Sequence, residues 1–308
     1  MAYSTTKIDE YRGSNSITLP TELSKDVWAK AVDESAIMRL AQRVDMPGRG
    51  LSVPVITGDV TAEWVAESTE KHVGNATYSL KTLQPYKLSI IEVFSDEFRR
   101  DLDALYQELT RRLPAAIGRK FDYTVFQGTA PGSNFDVLTN STAVNIDADA
   151  QANTYQKLVG VVETLGANGY DLTGIAASAQ CQAALLGAVD GQGRPLFLTD
   201  ITAGNGVGRV LGAEVVKAKQ AYVAGNPATV GFAGDWTQFR YGIVDGINVA
   251  ISDQATINDG TKQINLWQRN CFAVRVEAEI AAAVADADAF VKLTATVAGA
   301  TGATGATS

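Results

Sequence analysis

SDEFRRDLDALYQELTRRLPAAIGRKFDYTVFQG, residues 95–128, carries the clearest periodic signal in the chain. Phe98, Leu102, Leu105, Leu109, Leu113, Ile117, Phe121 and Val125 recur every three or four residues, which lines one face of an α-helix with apolar side chains. Ser95 is a good N-cap, Asp96 and Glu97 stand where the helix dipole favours anions, and Gly128 offers a stop. Over residues 96–127 such a helix would extend roughly 48 Å at about 1.5 Å per residue. Pro114 lies inside it, removes a ladder hydrogen bond, and is expected to kink or break it.

Upstream, residues 51–94 read as strand and turn. Leu51, Val53 and Val55 alternate, and Leu88, Ile90 and the run to Phe94 alternate less cleanly. The tract between, residues 57–84, is polar, contains Trp64, and has too few apolar positions for a core of its own. A long two-stranded excursion of this kind is marginal alone and needs a partner surface, which points to an oligomer. Further upstream, Leu23, Val27, Ala31, Glu34, Met38, Ala41 and Val44 have helical spacing. Thr21 serves as a start and Pro47-Gly48 as a stop. Residues 1–20 show no periodicity and read as an extended arm.

Downstream, residues 155–165 and 178–189 read as helices, and residues 173–177 as a buried strand. From Gly208 onward the chain is strand-like. Phe272, Val274, Val276, Ala278 and Ile280 alternate with Ala273, Arg275, Glu277 and Glu279, and residues 290–297 alternate again. The glycine-punctuated tail after Gly299 reads as a flexible end.

With 308 residues and 46% hydrophobic content, the chain can bury one large or two ordinary cores. A net charge of -8 argues against coating DNA with positive charge. Residues 1–128 carry a balance of -2 and residues 129–308 a balance of -6. The opening residues show no signal-peptide pattern and no run of about 18 apolar residues occurs, so the expectation is a chain made in a cytoplasm without a membrane span.

The chemistry-bearing residues are sparse. Cys181 and Cys271 lack metal-ligand spacing and read as reduced, buried small hydrophobes. His72 is the sole histidine and sits in a polar tract without a nucleophile motif. Gly206, Gly208 and Gly212 miss the dinucleotide-loop spacing by one position. Asp147/Asp149 and Asp286/Asp288 fit no calcium-loop pattern and read as solvated turns. These residues nominate no catalytic, metal or cofactor site, and by themselves they support an α+β protein that oligomerises.

The order of parts adds more: arm and helix, long strand excursion, very long helix, compact mixed region, returning strands. That order resembles the tailed-bacteriophage major capsid proteins with the Hong Kong 97-like fold. The resemblance is carried by Trp64-Val65-Ala66-Glu67, by Ser95-Asp96-Glu97-Phe98 with Asp101, and by Ile117-Gly118-Arg119-Lys120-Phe121-Asp122 with Phe126-Gln127-Gly128. Later come Gly234-Asp235, Arg240-Tyr241-Gly242, Asn270 with Arg275, and Asp288-Ala289-Phe290-Val291-Lys292-Leu293. It spans about residues 17 to 295.

The resemblance implies an N-terminal arm at residues 1–50, an extended β-hairpin loop at 51–95, and a spine helix with peripheral domain at 96–150. It implies an axial domain at 151–250, and peripheral return strands with a flexible tail at 251–308. It implies hexamers and pentamers of this chain forming an icosahedral shell in the virion, assembled in the host cytoplasm around double-stranded DNA without sequence-specific binding. A portal is an implied partner. Because the arm begins close to Met1, scaffolding is either a separate protein or not used. Trp64, Glu67 and Lys71 become candidate inter-subunit contacts, with packing of Trp64 on its own body as the alternative. Pro114 becomes a candidate conformational hinge. Lys71, Lys81 and Lys87 match no motif pairing them with Asn258, Asn265 or Asn270 for cross-linking. The competing readings are an encapsulin-like nanocompartment shell and, from a different class, a soluble hydrolase.

Overall fold

The computed structural model describes residues 31, 35–48, 50–58, 62, 64, 65, 67, 70, 71, 73, 74, 77–96, 102–147, 153–187, 206–244, 248–258 and 262–296. The chain divides into two compact units. The larger comprises Lys30–Tyr86, Pro114–Asp245 and Ile280–Ser308, and the smaller Met1–Ala29, Lys87–Leu113 and Gly246–Glu279.

In chain order the elements are α1 (Ala36–Leu40), β1 (Gln42–Met46), β2 (Leu51–Gly58), β3 (Thr77–Leu83), β4 (Tyr86–Ser95) and α2 (Leu102–Gln127). There follow β5 (Thr142–Asn145), α3 (Thr154–Ala167), β6 (Gly174–Ala177), α4 (Ala179–Leu186), β7 (Gly206–Val210) and β8 (Ala213–Lys217). The remaining strands are β9 (Ala228–Gly234), β10 (Phe239–Val244), β11 (Asn248–Ser252), β12 (Thr256–Asn258), β13 (Gln263–Asn265), β14 (Cys271–Val284) and β15 (Phe290–Ala295). This mixture is the α+β class expected.

The larger unit is built on a six-stranded sheet in the order β5-β15-β9-β6-β8-β7. Helices α3 and α4 bury Leu158, Val161, Leu165, Cys181 and Leu185 against Ile175, Val215, Val230, Val291 and Leu293 of the sheet. Each such side chain, fully buried, contributes about 1.5–3 kcal/mol. Local chemistry sets the helix starts. Asn153 Oδ1 accepts from the Gln156 amide at 2.9 Å while Gln156 Oε1 accepts from the Asn153 amide at 2.9 Å, a reciprocal cap on α3. Ser178 Oγ caps α4 by accepting from the Cys181 amide. Strand β6 is buried at all four positions because it lies between β9 and β8. There Gly231 is required: a Cβ would stand 2.8 Å from the Ala176 carbonyl oxygen.

An aromatic group closes the other part of this unit. Trp236, Phe239 and Phe290 are all nearly fully buried, with Trp236 and Phe290 edge to face at 5.4 Å. The Trp236 indole donates to the Gly174 carbonyl at 2.9 Å, so its one polar atom is satisfied. Strand β10 pairs antiparallel with residues 280–284 of β14 and parallel with β1. Residues 114–127 of α2 pack here through Ile117, Phe121, Val125 and Phe126.

In the smaller unit, β11 and β4 both pair with β14. Phe272, Val274, Val276 and Ala278 are buried and Arg275 is exposed, as the alternation requires. Phe94 stacks on Phe272 at 5.6 Å, and Lys87 reaches Glu277 at 3.6 Å. β12 and β13 form a short antiparallel pair.

Two expectations need correction. The helix read over residues 23–44 ends early: Ser35 caps the five-residue α1, Ala41 is extended, and Val44 lies in β1. Residues 42–46 pair one for one with residues 240–244, and this tertiary pairing overrides the local helical spacing. Pro114 does not break the long helix, which runs as one element from Leu102 to Gln127. Tertiary burial of the turns that follow outweighs one lost ladder bond. Ser95 is the last residue of β4. Residues 97–101, the turn at 190–193 and the arm at 1–20 lie outside the described residues.

Truncating Phe290 removes both ring contacts at the centre of the aromatic group. Phe290→Ala is expected to lower unfolding free energy by about 3–5 kcal/mol, read as a lower thermal midpoint of the unassembled protein.

Candidate assembly surface

Strands β2 and β3 form an antiparallel ribbon from Leu51↔Leu83 at the base to Gly58↔Thr77, with a register shift between Ile56 and Gly58. The base is anchored. Leu83 is buried with Met46, Ala281 and Ala283, and Val44, Leu51 and Val244 pack against them. Gly50 turns into the ribbon with φ of 86°, and a Cβ there would stand 2.6 Å from the Leu83 carbonyl oxygen. Lys81 pairs with Asp136 at 2.9 Å, Asn134 donates to Gln84 Oε1 at 2.8 Å, and Tyr86 lies edge to face on Phe135.

Farther along the ribbon connection, burial fails. Trp64 is fully exposed, Val73 is 83% exposed, and Leu80 on β3 is 72% exposed. Glu67 and Lys71 are exposed too, and none of the described residues pairs with them. Trp64 thus has no burial within the single chain. An indole left in water forgoes roughly 1.5–3 kcal/mol or more of burial.

Other nominated positions fall as follows. Gly206 to Gly212 forms a hairpin, β7 and β8 joined at Leu211-Gly212, so no helix follows to receive a phosphate. Cys181 is buried, and burial pushes its thiol up to about 12. Cys271 is half-buried, a departure from the reading of two buried cysteines. His72 and Asp149 lie outside the described residues. Among the described residues, no group of three His, Cys, Asp or Glu side chains could hold a metal, and no helix is long and apolar enough to cross a membrane.

A polar cleft beside the ribbon base is lined by Lys81, Asp136, Asn140, Tyr170, Gln238 and Asp286. Its carboxylates are engaged. Asp136 accepts from Lys81 and the Val284 amide, while Asp286 accepts from the Tyr170 hydroxyl at 2.6 Å and from the Asp288 amide. Burial, then the neighbouring Asp286, pushes the Tyr170 phenol up to about 12. These groups tie β14 and its return to the sheet. The solvated-turn reading of Asp286 is corrected accordingly.

Sequence reasoning missed Trp267. It stands 73% exposed in a one-turn helix, with Leu266 beneath it fully buried and Asn270 in left-handed conformation behind it. A tryptophan beside polar Asn265, Gln268, Arg269 and Asn270 is the available signal. It also missed Tyr155, Val159 and Val162, which line an exposed stripe on α3.

The family described as the phage capsid family matches residues 15–295. A relative from Mycobacterium phage D29, named "Probable major capsid protein gp17", is 33% identical over 91% of this chain and 91% of its own length. Among solved structures, a chain from Mycobacterium phage Adephagia superposes with a TM-score of 0.68 at 21% identity, covering 85% of this chain and 90% of that one. A chain titled as the capsid of an empty GTA particle computed with C5 symmetry gives a TM-score of 0.64 at 15% identity, covering 86% and 90%. The chain thus belongs to the phage capsid family, and it is a shell-forming structural protein of a tailed phage with the Hong Kong 97-like fold.

Proposed function

We propose that this chain assembles as hexamers and pentamers into an icosahedral shell around double-stranded DNA, and that it carries no enzymatic activity. Family membership over nearly the whole chain supports the shell. The observation that carries the assembly mode is the ribbon: anchored at Leu83, yet exposing Trp64, Val73 and Leu80. In this reading those side chains bury on a neighbouring copy, with Trp64 as apolar anchor and Glu67 and Lys71 as polar surroundings. Contacts of about 1,600 Å², repeated around a closed symmetric object, accumulate into a stable shell.

In the same reading residues 1–50 form an arm, 51–95 the extended loop, 96–150 with 251–308 the peripheral domain, and 151–250 the axial domain. A portal and, where one is used, a separate scaffolding protein complete the assembly in the host cytoplasm. DNA is held without sequence-specific contacts, consistent with the net charge of -8. Pro114 is the hinge: its missing N–H weakens one turn of a helix that must fit two shell states.

Negative-stain microscopy and mass photometry of the full chain should show closed shells built of hexameric and pentameric units. A stable monomer under every assembly condition would sink the reading. Trp64→Ala should leave the thermal midpoint of the unassembled protein unchanged and weaken the contact by at least about 2 kcal/mol, seen as a lower yield and heat resistance of shells. Pro114→Ala should restore the ladder bond and slow conversion between shell states; unchanged conversion kinetics would remove Pro114 as hinge. Boiled shells should run on a denaturing gel as one monomer band, since Lys81 and Lys87 are held by Asp136 and Glu277.

A further inference from the structure

Asp122 is the one carboxylate of the larger unit that reaches full burial among the described residues, at 1% exposure. It projects from α2 in the apolar company of Ile117, Phe121 and Val125. All its partners come from residues some 85 positions earlier. Ser35 Oγ donates to Oδ1 at 2.5 Å, the Ala36 amide to Oδ2 at 2.9 Å, and the Ile37 amide to Oδ1 at 3.4 Å. Ser35 Oγ in turn accepts from the Met38 amide at 3.1 Å. One turn back on α2 lies Gly118. A Cβ there would stand 3.1 Å from the Ala31 carbonyl oxygen and 3.3 Å from Ser35 Cβ, so the missing side chain lets Ala31 and Ser35 approach the helix. Ala31, Ser35, Ala36, Ile37 and Met38 are all buried.

We propose that Asp122 and Gly118 form a proton-dependent latch that docks Ala31 and residues 35–40 on the long helix in a single register. Gly118 supplies the berth and Asp122 the catch. The direction of the proton effect follows from what surrounds the carboxyl. Burial raises it from 3.8 to about 7, opposed by the hydrogen bonds from Ser35, Ala36 and Ile37. The charged groups of the surrounding elements are Arg39 on α1, Arg119 and Lys120 on α2, Arg43 and Asp45 on β1, and Glu214 on β8. Arg39 pairs with Glu214 and Arg43 with Asp45, while Arg119 and Lys120 are exposed, so none compensates the buried charge. Tyr241, raised by its own burial, packs on Phe121.

A protonated carboxyl keeps one oxygen for the Ala36 amide and can donate to Ser35 Oγ. In the open latch the carboxyl is solvated and titrates at its ordinary value. The closed latch therefore binds the proton more tightly. Its extra stability is complete below about pH 4 and is lost as pH rises through about 7.

The test is hydrogen–deuterium exchange of the full chain before assembly, read on Ala31 and residues 35–40 between pH 5 and pH 8 and corrected for intrinsic exchange. Wild type should lose protection by about 100-fold across that window and level off above pH 7. Asp122→Asn, which offers one acceptor and one donor as the protonated acid does, should be protected independently of pH. Asp122→Ala should be unprotected throughout. Gly118→Leu, a substitution that favours the helix itself, should expose the segment at every pH while the six-stranded sheet stays protected. A flat wild-type profile, a slope surviving in Asp122→Asn, or full protection in Gly118→Leu would each overturn the latch. Should the Asp122 variants not fold, the wild-type profile and Gly118→Leu decide alone. All readouts are on unassembled protein, so the latch can fail without touching the shell reading.

Discussion

A two-stranded ribbon gives each strand one neighbour and at most one covered face, so the ribbon cannot bury its own side chains. In this chain that constraint operates between Leu83, buried at the base, and Trp64, exposed beyond the strands. The base is held by every kind of contact available: apolar packing, the Lys81–Asp136 ion pair, an amide–amide hydrogen bond and an aromatic edge contact. So thorough an anchor on so bare a projection makes sense where the projection carries load. In the proposed assembly, the shell supplies the load and the unburied apolar surface the attraction.

What the sequence made legible was whatever short-range periodicity controls. Strand β14 alternates from Val274 to Glu279, where Val274, Val276 and Ala278 are buried and Arg275, Glu277 and Glu279 are less so, and is buried throughout from Ile280 to Val284. The helix read over residues 155–165 is α3, Thr154–Ala167, and the one read from Ser178 is α4, which Ser178 caps. The long helix was legible through its stripe from Leu102 to Val125. Trp64 is nominated by resemblance, and it stands exposed.

What stayed illegible depends on partners far away in sequence. Residues 42–46 look helical by spacing and become a strand because residues 240–244 offer them an edge. Asp286 reads as a surface turn until Tyr170, 116 residues earlier, is seen to donate to it. Single-sequence patterns carry no term for such pairings, so these errors share one cause.

Asp122 shows the same cause with a different consequence. An apolar residue at that position would suit the buried face of α2 and would spare the desolvation that raises the carboxyl. It would also accept any apolar segment in any register. A buried carboxylate instead demands donors, and here the demand is met by a hydroxyl and two successive amides at the start of α1. Sliding Ala31 and residues 35–40 by one position would leave those donors and the acceptor unsatisfied together, at about 1–3 kcal/mol each. The polar contact thus trades stability for a single docking register, and the absent side chain of Gly118 makes that register sterically available. In a protein whose terminal segment and ribbon are proposed to meet neighbours, a fixed register on the body matters more than the energy of the contact itself.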